Sequence, residues 1–191
     1  MNIEYEATFP IKDKEALRED LMKVNATLLK KEFLQKRSTF NLPKGVSDNH
    51  SWARVRHEGD KITMSVKTIK AGSIEGQEET EIVIDSYDGG VSFLKNTGFI
   101  FKSYQETLRE KWILDEVEVL IDTWPYLEPI VEIEGKSESA VKKISEILGF
   151  DYGEAVFDGI DYFYNKKYGV EKNVINNNTP LITFDSPNPF N

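Results

Sequence analysis

Charged and apolar residues alternate along several short segments of this chain, and within each segment the charges have the same sign. Acidic segments lie near both ends of the first 135 residues, and basic segments lie between them. Because side chains i and i+2 share one face of a β-strand, the alternation predicts strands with one charged face and one apolar face. The segments are Glu4-Tyr5-Glu6, Arg54-Val55-Arg56, Thr63-Met64-Ser65-Val66-Lys67 and Glu132-Ile133-Glu134.

The same patterns, read along the whole chain, predict mostly antiparallel strands. Alternation bounded by turn residues predicts eight strands, at 2–9, 28–42, 52–56, 61–69, 80–84, 103–114, 116–121 and 129–134. Helical spacing of apolar residues predicts helices at 12–24, 90–97 and 137–148, the last with Ser137 as N-cap. An aromatic-rich stretch at 151–169 is predicted to be helical in part. The Asn- and Pro-rich residues 173–191 predict an extended wrap or a loose end.

Length and composition indicate one globular domain. A chain of 191 residues can bury a substantial core, and neither an internal repeat nor a linker divides it. We therefore expect a domain over 1–170 and a C-terminal tail over 171–191 that packs on it or trails from it. There is no apolar run of about 18 residues and no signal-peptide pattern at the N-terminus. We accordingly expect no membrane partner, a cytoplasmic location, and a monomer or homodimer.

The net charge and the numbers of cysteine and histidine limit which partners and which kinds of site the chain can have. The net charge of −9 argues against a nucleic-acid partner, although a local basic pocket for a small polyanion stays compatible with it. The chain has no cysteine, which excludes disulfides, a thiolate nucleophile and a zinc–thiolate site. Its two histidines, His50 and His57, give little reason to predict a histidine-based site.

Several familiar motifs are missing from the sequence. It contains no Gly-x-x-x-x-Gly-Lys-Ser/Thr loop, no Gly-x-Gly-x-x-Gly turn and no Gly-x-Ser-x-Gly elbow. Once these sites are excluded, a metal site with oxygen ligands is the remaining candidate. Carboxylates suit hard ions such as Mg²⁺ or Mn²⁺. Periodicity alone is more typical of an antiparallel sheet that has one face in contact with water. The sorting of like charges onto the same strands favours a site for cations and anions, since like charges would otherwise repel one another.

The ordered set of motifs resembles the CYTH family, also called triphosphate tunnel metalloenzymes. That family opens with a Glu-x-Glu-x-Lys strand, continues with an Arg-x-Arg strand and a hairpin strand ending in lysine, and closes with a Glu-x-Glu strand. The resemblance covers roughly residues 2–165, in order. The matching positions are Glu4, Glu6, Arg54, Arg56, Lys67, Glu79, Glu81, Arg109, Ile121, Asp122, Glu132, Ile133 and Glu134.

The resemblance implies an α+β, mainly β fold: an eight-stranded antiparallel closed barrel with flanking helices and a polar lumen. It implies that one or two Mg²⁺ or Mn²⁺ ions and a small-molecule triphosphate or nucleotide bind there. The implied metal ligands are Glu4, Glu6, Glu132 and Glu134, with Glu81 and Asp122 as additions. The implied triphosphate ligands are Arg54, Arg56, Lys67 and Arg109, with Arg37 on the second strand as a further candidate. Glu4, Glu6, Arg54 and Arg56 are the residues expected to carry catalysis.

Two positions depart from the family pattern, and three functions therefore stay open. Thr8 stands where the opening motif has lysine, and Thr107 stands where a second basic residue is common. A threonine hydroxyl carries no charge and is no general base near neutral pH. A metal-dependent triphosphatase is the first expectation. The alternatives are a class IV adenylyl cyclase and a protein that binds triphosphates with little or no turnover.

Overall fold

The computed structural model describes residues 2–46, 51–69 and 77–191, with the side chains at 2–4, 69 and 77 excepted. His50 therefore lies outside the described residues. The strands are β1 (Asn2–Pro10), β2 (Thr27–Asn41), β3 (Ser51–His57), β4 (Ile62–Ile69), β5 (Gln77–Ile84), β6 (Ile100–Leu114), β7 (Val117–Thr123), β8 (Ile130–Gly135) and β9 (Leu181–Ile182). The α-helices are α1 (Lys14–Lys23), α2 (Tyr87–Asn96), α3 (Glu138–Ile147), α4 (Asp161–Tyr168) and α5 (Lys172–Asn177).

The strands form one curled sheet in the order β2-β3-β4-β5-β1-β8-β7-β6-β9, and β2 also pairs with β6. The eight long strands pair antiparallel, and only β9 is parallel to its neighbour. The seam between β1 and β5 has three residue pairs, whereas β1 and β8 share six. Farther along β1, Thr8 exchanges two backbone hydrogen bonds with Val156, at 3.1 and 2.9 Å. The expected mainly β, antiparallel eight-stranded fold is confirmed, but the structure shows a curled sheet and not the expected closed barrel: in the described residues, β1 meets β5 over only three residue pairs.

The helices cover the outer face of the sheet, which explains why the charged faces point inward. α1 and α3 pack on β1, β7 and β8 over a cluster that includes Leu21, Ile133 and Ile144, all fully buried. α2 packs against Val55 and Phe40 on the outside of β2 and β3. Since side chains alternate across a strand, burying the apolar residues under helices turns the charged residues to the inside.

Two helices begin directly after a serine whose hydroxyl caps the first turn. The Ser137 hydroxyl accepts a hydrogen bond from the Ala140 amide, so α3 begins where the sequence predicted. The predicted helix at 90–97 begins earlier, at Tyr87, because the Ser86 hydroxyl accepts from the Gly89 amide and caps it. None of the helices in the described ranges is long and apolar enough to cross a membrane.

The C-terminal tail packs on the sheet. Ile175, Ile182 and Phe190 join Trp124, Ile130 and Tyr164 in an apolar cluster, and β9 pairs with β6. Of the two alternatives for residues 173–191, the structure shows a wrap that includes a short helix and a short strand. The boundary at 170/171 stays a prediction.

Candidate functional site

A cavity of about 1440 Å³ lies inside the curled sheet and contains most of the predicted site residues. Its wall alternates between acidic and basic side chains contributed by several strands. Asp122 lies behind the wall, fully buried. The side chain of Glu4 is outside the described residues, and only its backbone position opposite Gln77 is known. The predicted residues that line the cavity are Glu6, Arg37, Arg54, Arg56, Lys67, Glu81, Arg109, Glu132 and Glu134.

Two arginines of β3 lie against carboxylates of β5. Arg54 Nη2 donates to Glu79 Oε1 at 2.9 Å, and Arg56 Nη2 donates to Glu81 Oε2 at 3.1 Å. Burial raises the pKa of the Glu79 carboxyl, but Arg54 and Lys67 outweigh this effect and hold the pKa below its ordinary value. The registers of β3, β4 and β5 place these side chains on one face, as their alternation predicted.

Arg109 joins β6 to two further strands. Its Nε donates to Asp122 Oδ1 at 2.7 Å, its Nη2 also contacts Asp122, and Nη2 donates to Glu132 Oε2 at 2.5 Å. Burial tends to lower the pKa of Arg109, but Asp122 and Glu132 outweigh it and raise that pKa above its ordinary value. The guanidinium is therefore locked between two carboxylates.

Arg37 is the one predicted cation without a carboxylate within 4 Å among the described residues. Its Nη2 donates to Gln35 Oε1 at 2.9 Å and to Thr107 Oγ1 at 2.6 Å. The guanidinium carbon lies 4.5 Å from the centre of a Trp124 ring, and Nε is buried without a hydrogen bond to any described residue. Burial lowers the pKa of Arg37 to about 9, and the positive charges of Arg109, Arg54 and Arg56 act in the same direction.

The carboxylates proposed to bind a metal come from β1 and β8. Glu6 lies directly opposite Glu134 in the pairing of these strands, so both side chains share the inner face. Lys67 Nζ lies 3.6 Å from Glu6 Oε2. Among the described side chains, no three histidine or carboxylate groups come close enough together to hold a metal ion. Among the described side chains, the fit to a metal therefore depends on Glu6 and Glu134.

The two threonines that depart from the motif are both buried. Thr8 is 3% exposed and pairs with Glu132 on β8 while its backbone bonds Val156. Thr107 is fully buried, accepts a hydrogen bond from Arg37 and donates to Gln35 Oε1 at 3.1 Å. The guanidinium of Arg37 thus lies beside position 107 of β6, where Thr107 stands in place of a basic residue.

Several residues of the site were missed as site candidates in the sequence. Gln35 and Trp124 hold Arg37, and Glu79 holds Arg54. Glu79 could have been added from its alternation with Glu81. Glu58, Lys61 and Lys111 form an ion-pair cluster at the β3–β4 hairpin. Glu58 and Lys61 are close in the chain, but Lys111 comes from β6, so the sequence has no local signal that the three meet.

Glu132 is the carboxyl group whose ionisation the site disturbs most clearly. Burial raises its pKa to about 7; Arg109 opposes the shift, and the negative charges of Asp122 and Glu6 add to it. Between the ordinary value of 4.5 and about 7, the native protein therefore holds a proton that the unfolded chain has released. The stability contributed by this proton is present below pH 4.5 and is lost as pH rises through 7.

We expect Glu132→Gln to remove this pH dependence. The variant cannot titrate at position 132, so the stability of the wild type relative to the variant should fall between about pH 4.5 and 7 and level off above. Urea unfolding of both proteins in EDTA, from pH 4.5 to 8.5, measures the difference. Parallel stability curves over the whole range would contradict a raised pKa for Glu132.

Comparison with known proteins places these residues in a family. The model of the CYTH domain matches residues 2–159, most of the chain. The chain belongs to the CYTH family. This confirms the resemblance drawn from the motifs, and triphosphatases of the CYTH family depend on divalent metal ions. None of the curated proteins is significantly similar to the chain.

Solved structures share the fold of this CYTH domain at low sequence identity. A conserved hypothetical protein from Pyrococcus furiosus is 20% identical, with a TM-score of 0.70, over 84% of this chain and 99% of that one. An adenylate cyclase candidate from Vibrio parahaemolyticus is 11% identical, with a TM-score of 0.71, over 85% and 97%. An adenylyl cyclase candidate from Hippeastrum, described as having dominant triphosphatase activity, is 17% identical, with a TM-score of 0.59, over 90% and 97%.

Proposed function

We propose that this CYTH domain binds a triphosphate-containing compound, inorganic or organic, in the cavity of its curled sheet and hydrolyses it with Mg²⁺ or Mn²⁺. One observation carries the proposal: Arg37 is a buried cation that has no carboxylate partner among the described residues and faces a cavity with three more arginines. A buried charge without a counter-charge is costly unless a ligand supplies one. A polyphosphate supplies several negative charges in a row.

The arginines suit this ligand in geometry as well as in charge. A guanidinium offers five donors in a planar fork that matches phosphate oxygens, whereas a lysine acts as a point charge. Among the described residues, Arg54 has a buried Nε without a hydrogen bond, as Arg37 does, whereas Arg56 Nε lies against Glu58. We assign Arg37, Arg54, Arg56 and Arg109 to the phosphate chain, with Lys67 beside it. The curled sheet would then surround part of the substrate.

We assign the metal to Glu6 and Glu134, with Glu4 on the same strand as Glu6, and with Glu132 next to them. The ion would neutralise phosphate charge and activate the attacking water. Glu81 contacts Arg56, and Asp122 contacts Arg109 through both oxygens. Both are predicted additional ligands, and in this arrangement they orient the arginines. Catalysis would consist of positioning and charge neutralisation.

Two observations support the alternatives. The cavity of about 1440 Å³ is large for tripolyphosphate alone, and structural neighbours are adenylyl cyclase candidates, which favours a class IV cyclase acting on ATP. In that reaction the ribose 3′-hydroxyl attacks the α-phosphate, whereas in hydrolysis water attacks the γ-phosphate. The buried, uncharged Thr8 favours a protein that binds triphosphates with little turnover.

A cytoplasmic location stays a prediction.

We expect the purified protein to release phosphate from tripolyphosphate, thiamine triphosphate or ATP when Mg²⁺ or Mn²⁺ is present, and to lose the activity in EDTA. The assay reads phosphate and cyclic AMP together, so that it separates hydrolysis from cyclisation. A melting-temperature shift with tripolyphosphate in EDTA measures binding by itself, because a ligand of the native state stabilises it.

Arg54→Ala should reduce both the turnover and the melting-temperature shift, since it removes a charge-assisted contact of about 1.5–3 kcal/mol. Lys36→Ala is the control, because Lys36 is exposed on the outer face of β2. Binding of a triphosphate without turnover would support the function of a binding protein. Formation of cyclic AMP from ATP would support the function of an adenylyl cyclase. An unchanged melting temperature with every triphosphate would contradict all three functions.

A further inference from the structure

A cluster of three cations surrounds one buried carboxylate at the hairpin between β3 and β4. We call it the hairpin cluster; it consists of Arg56, Glu58, Lys61 and Lys111. Glu58 is 1% exposed, whereas the three cations line the same cavity as the other arginines. The cluster therefore presents positive charge to the cavity and keeps its negative charge behind the wall.

The contacts within the cluster are close but leave donors unused. Arg56 Nε lies 2.6 Å from Glu58 Oε1. Lys61 Nζ and Lys111 Nζ lie 3.5 and 3.6 Å from the same atom, Glu58 Oε2. These two distances exceed the usual 2.7–3.2 Å of a hydrogen bond, and neither ammonium donates one within the described ranges. Each ammonium has three donors available.

The charges of the cluster also do not balance. Among the described side chains, Glu58 and Glu81 are the carboxylates within 4 Å of its cations, and Glu81 contacts Arg56 at 3.1 Å and Lys61 at 3.8 Å. Three positive charges thus face two negative ones. Glu58 itself stays ionised: burial raises its pKa, but Arg56, Lys111 and Lys61 outweigh this and lower it below the ordinary value.

We propose that Lys61 and Lys111, held in place by Glu58, form a phosphate subsite that takes one end of the phosphate chain, next to Arg56. The inference rests on the proposed function and adds two binding residues that the family motif does not contain. Lys111 lies two residues after Arg109 on the inner face of β6, so a chain bound to Arg109 and Arg56 comes within reach of it. An oxygen of the end phosphate would occupy the free donors of both ammonium groups.

The experiment compares pyrophosphate with tripolyphosphate by calorimetry in EDTA, where no metal-dependent turnover interferes. The arginines can hold two phosphates without Lys61 and Lys111, whereas the third phosphate reaches these two lysines. Lys111→Met and Lys61→Met, which keep much of the apolar stem, should each weaken tripolyphosphate binding about tenfold or more. Pyrophosphate binding should change less than about threefold by the same reasoning. Retained pyrophosphate binding also shows that the variants are folded.

Lys36→Met is the matched control, because it removes the same charge from the outer face of the sheet. It should leave the ratio of the two affinities unchanged. The subsite is refuted if Lys61→Met and Lys111→Met weaken both ligands equally, or no more than Lys36→Met does, while the wild type binds tripolyphosphate. A wild type that binds neither ligand refutes the proposed function, and the subsite with it.

Discussion

Replacing Arg109 with methionine is expected to lower the free energy of unfolding by about 3–5 kcal/mol. Asp122 is fully buried, and in the described structure the contacts of its carboxylate are with Arg109. Removal of the guanidinium leaves a carboxylate without a counter-charge inside the wall, which costs far more than the salt bridge itself contributes. Urea unfolding at pH 7 measures the loss.

Asp122→Asn in the Arg109→Met background is the control for this result. It removes the uncompensated charge, so much of the lost stability should return, although Asp122→Asn in the wild type should itself destabilise. A double-mutant cycle from these four proteins gives the coupling between the two residues. If Arg109→Met costs less than about 1 kcal/mol, Asp122 has access to water and the locked arrangement is wrong.

Introducing lysine at position 107 is expected to destabilise the protein strongly, although lysine restores the basic residue common in the CYTH family. Thr107 Oγ1 lies 2.6 Å from Arg37 Nη2, and both side chains are buried. A lysine there would place an ammonium against a guanidinium that has no carboxylate partner among the described residues. We expect a loss of about 3 kcal/mol or more, as for other uncompensated buried charges.

The exchange variant Arg37→Thr/Thr107→Lys tests whether Arg37 replaces the missing basic residue. It returns a single cation to the same place, so stability and the melting-temperature shift with tripolyphosphate should both recover substantially. Thr107→Val is the control for loss of the hydrogen bond alone and should cost about 1 kcal/mol. A Thr107→Lys protein that is stable and binds tripolyphosphate more tightly with Arg37 in place would contradict the replacement.

The faces of the strands were predictable because the charges alternate with a period of two. Arg54 and Arg56, Glu79 and Glu81, and the inner face of β6 lie as their spacing indicated. The third helix was also predictable, because its apolar spacing and its serine cap are local features. Such signals depend only on residues close together in the chain, so they can be recognised without knowledge of the fold.

Other features had no local signal. The backbone of Thr8 in β1 pairs with Val156, about 150 residues later in the chain. The C-terminal strand of two residues forms only because β6 offers it a partner. The earlier start of α2, by contrast, has a local signal in Ser86, a residue that favours the N-cap.

The sequence by itself determined the family, the antiparallel mainly β fold and the set of charges on the inner faces, because alternation and motif order are properties of the chain. Only the tertiary structure decided how those charges combine. It paired Arg109 with Asp122 and Glu132, left Arg37 without a carboxylate among the described residues, and collected Lys61 and Lys111 around Glu58. The physical reason is that the energy of a charge depends on its burial and on which opposite charge lies within a few ångströms, and distant strands supply both.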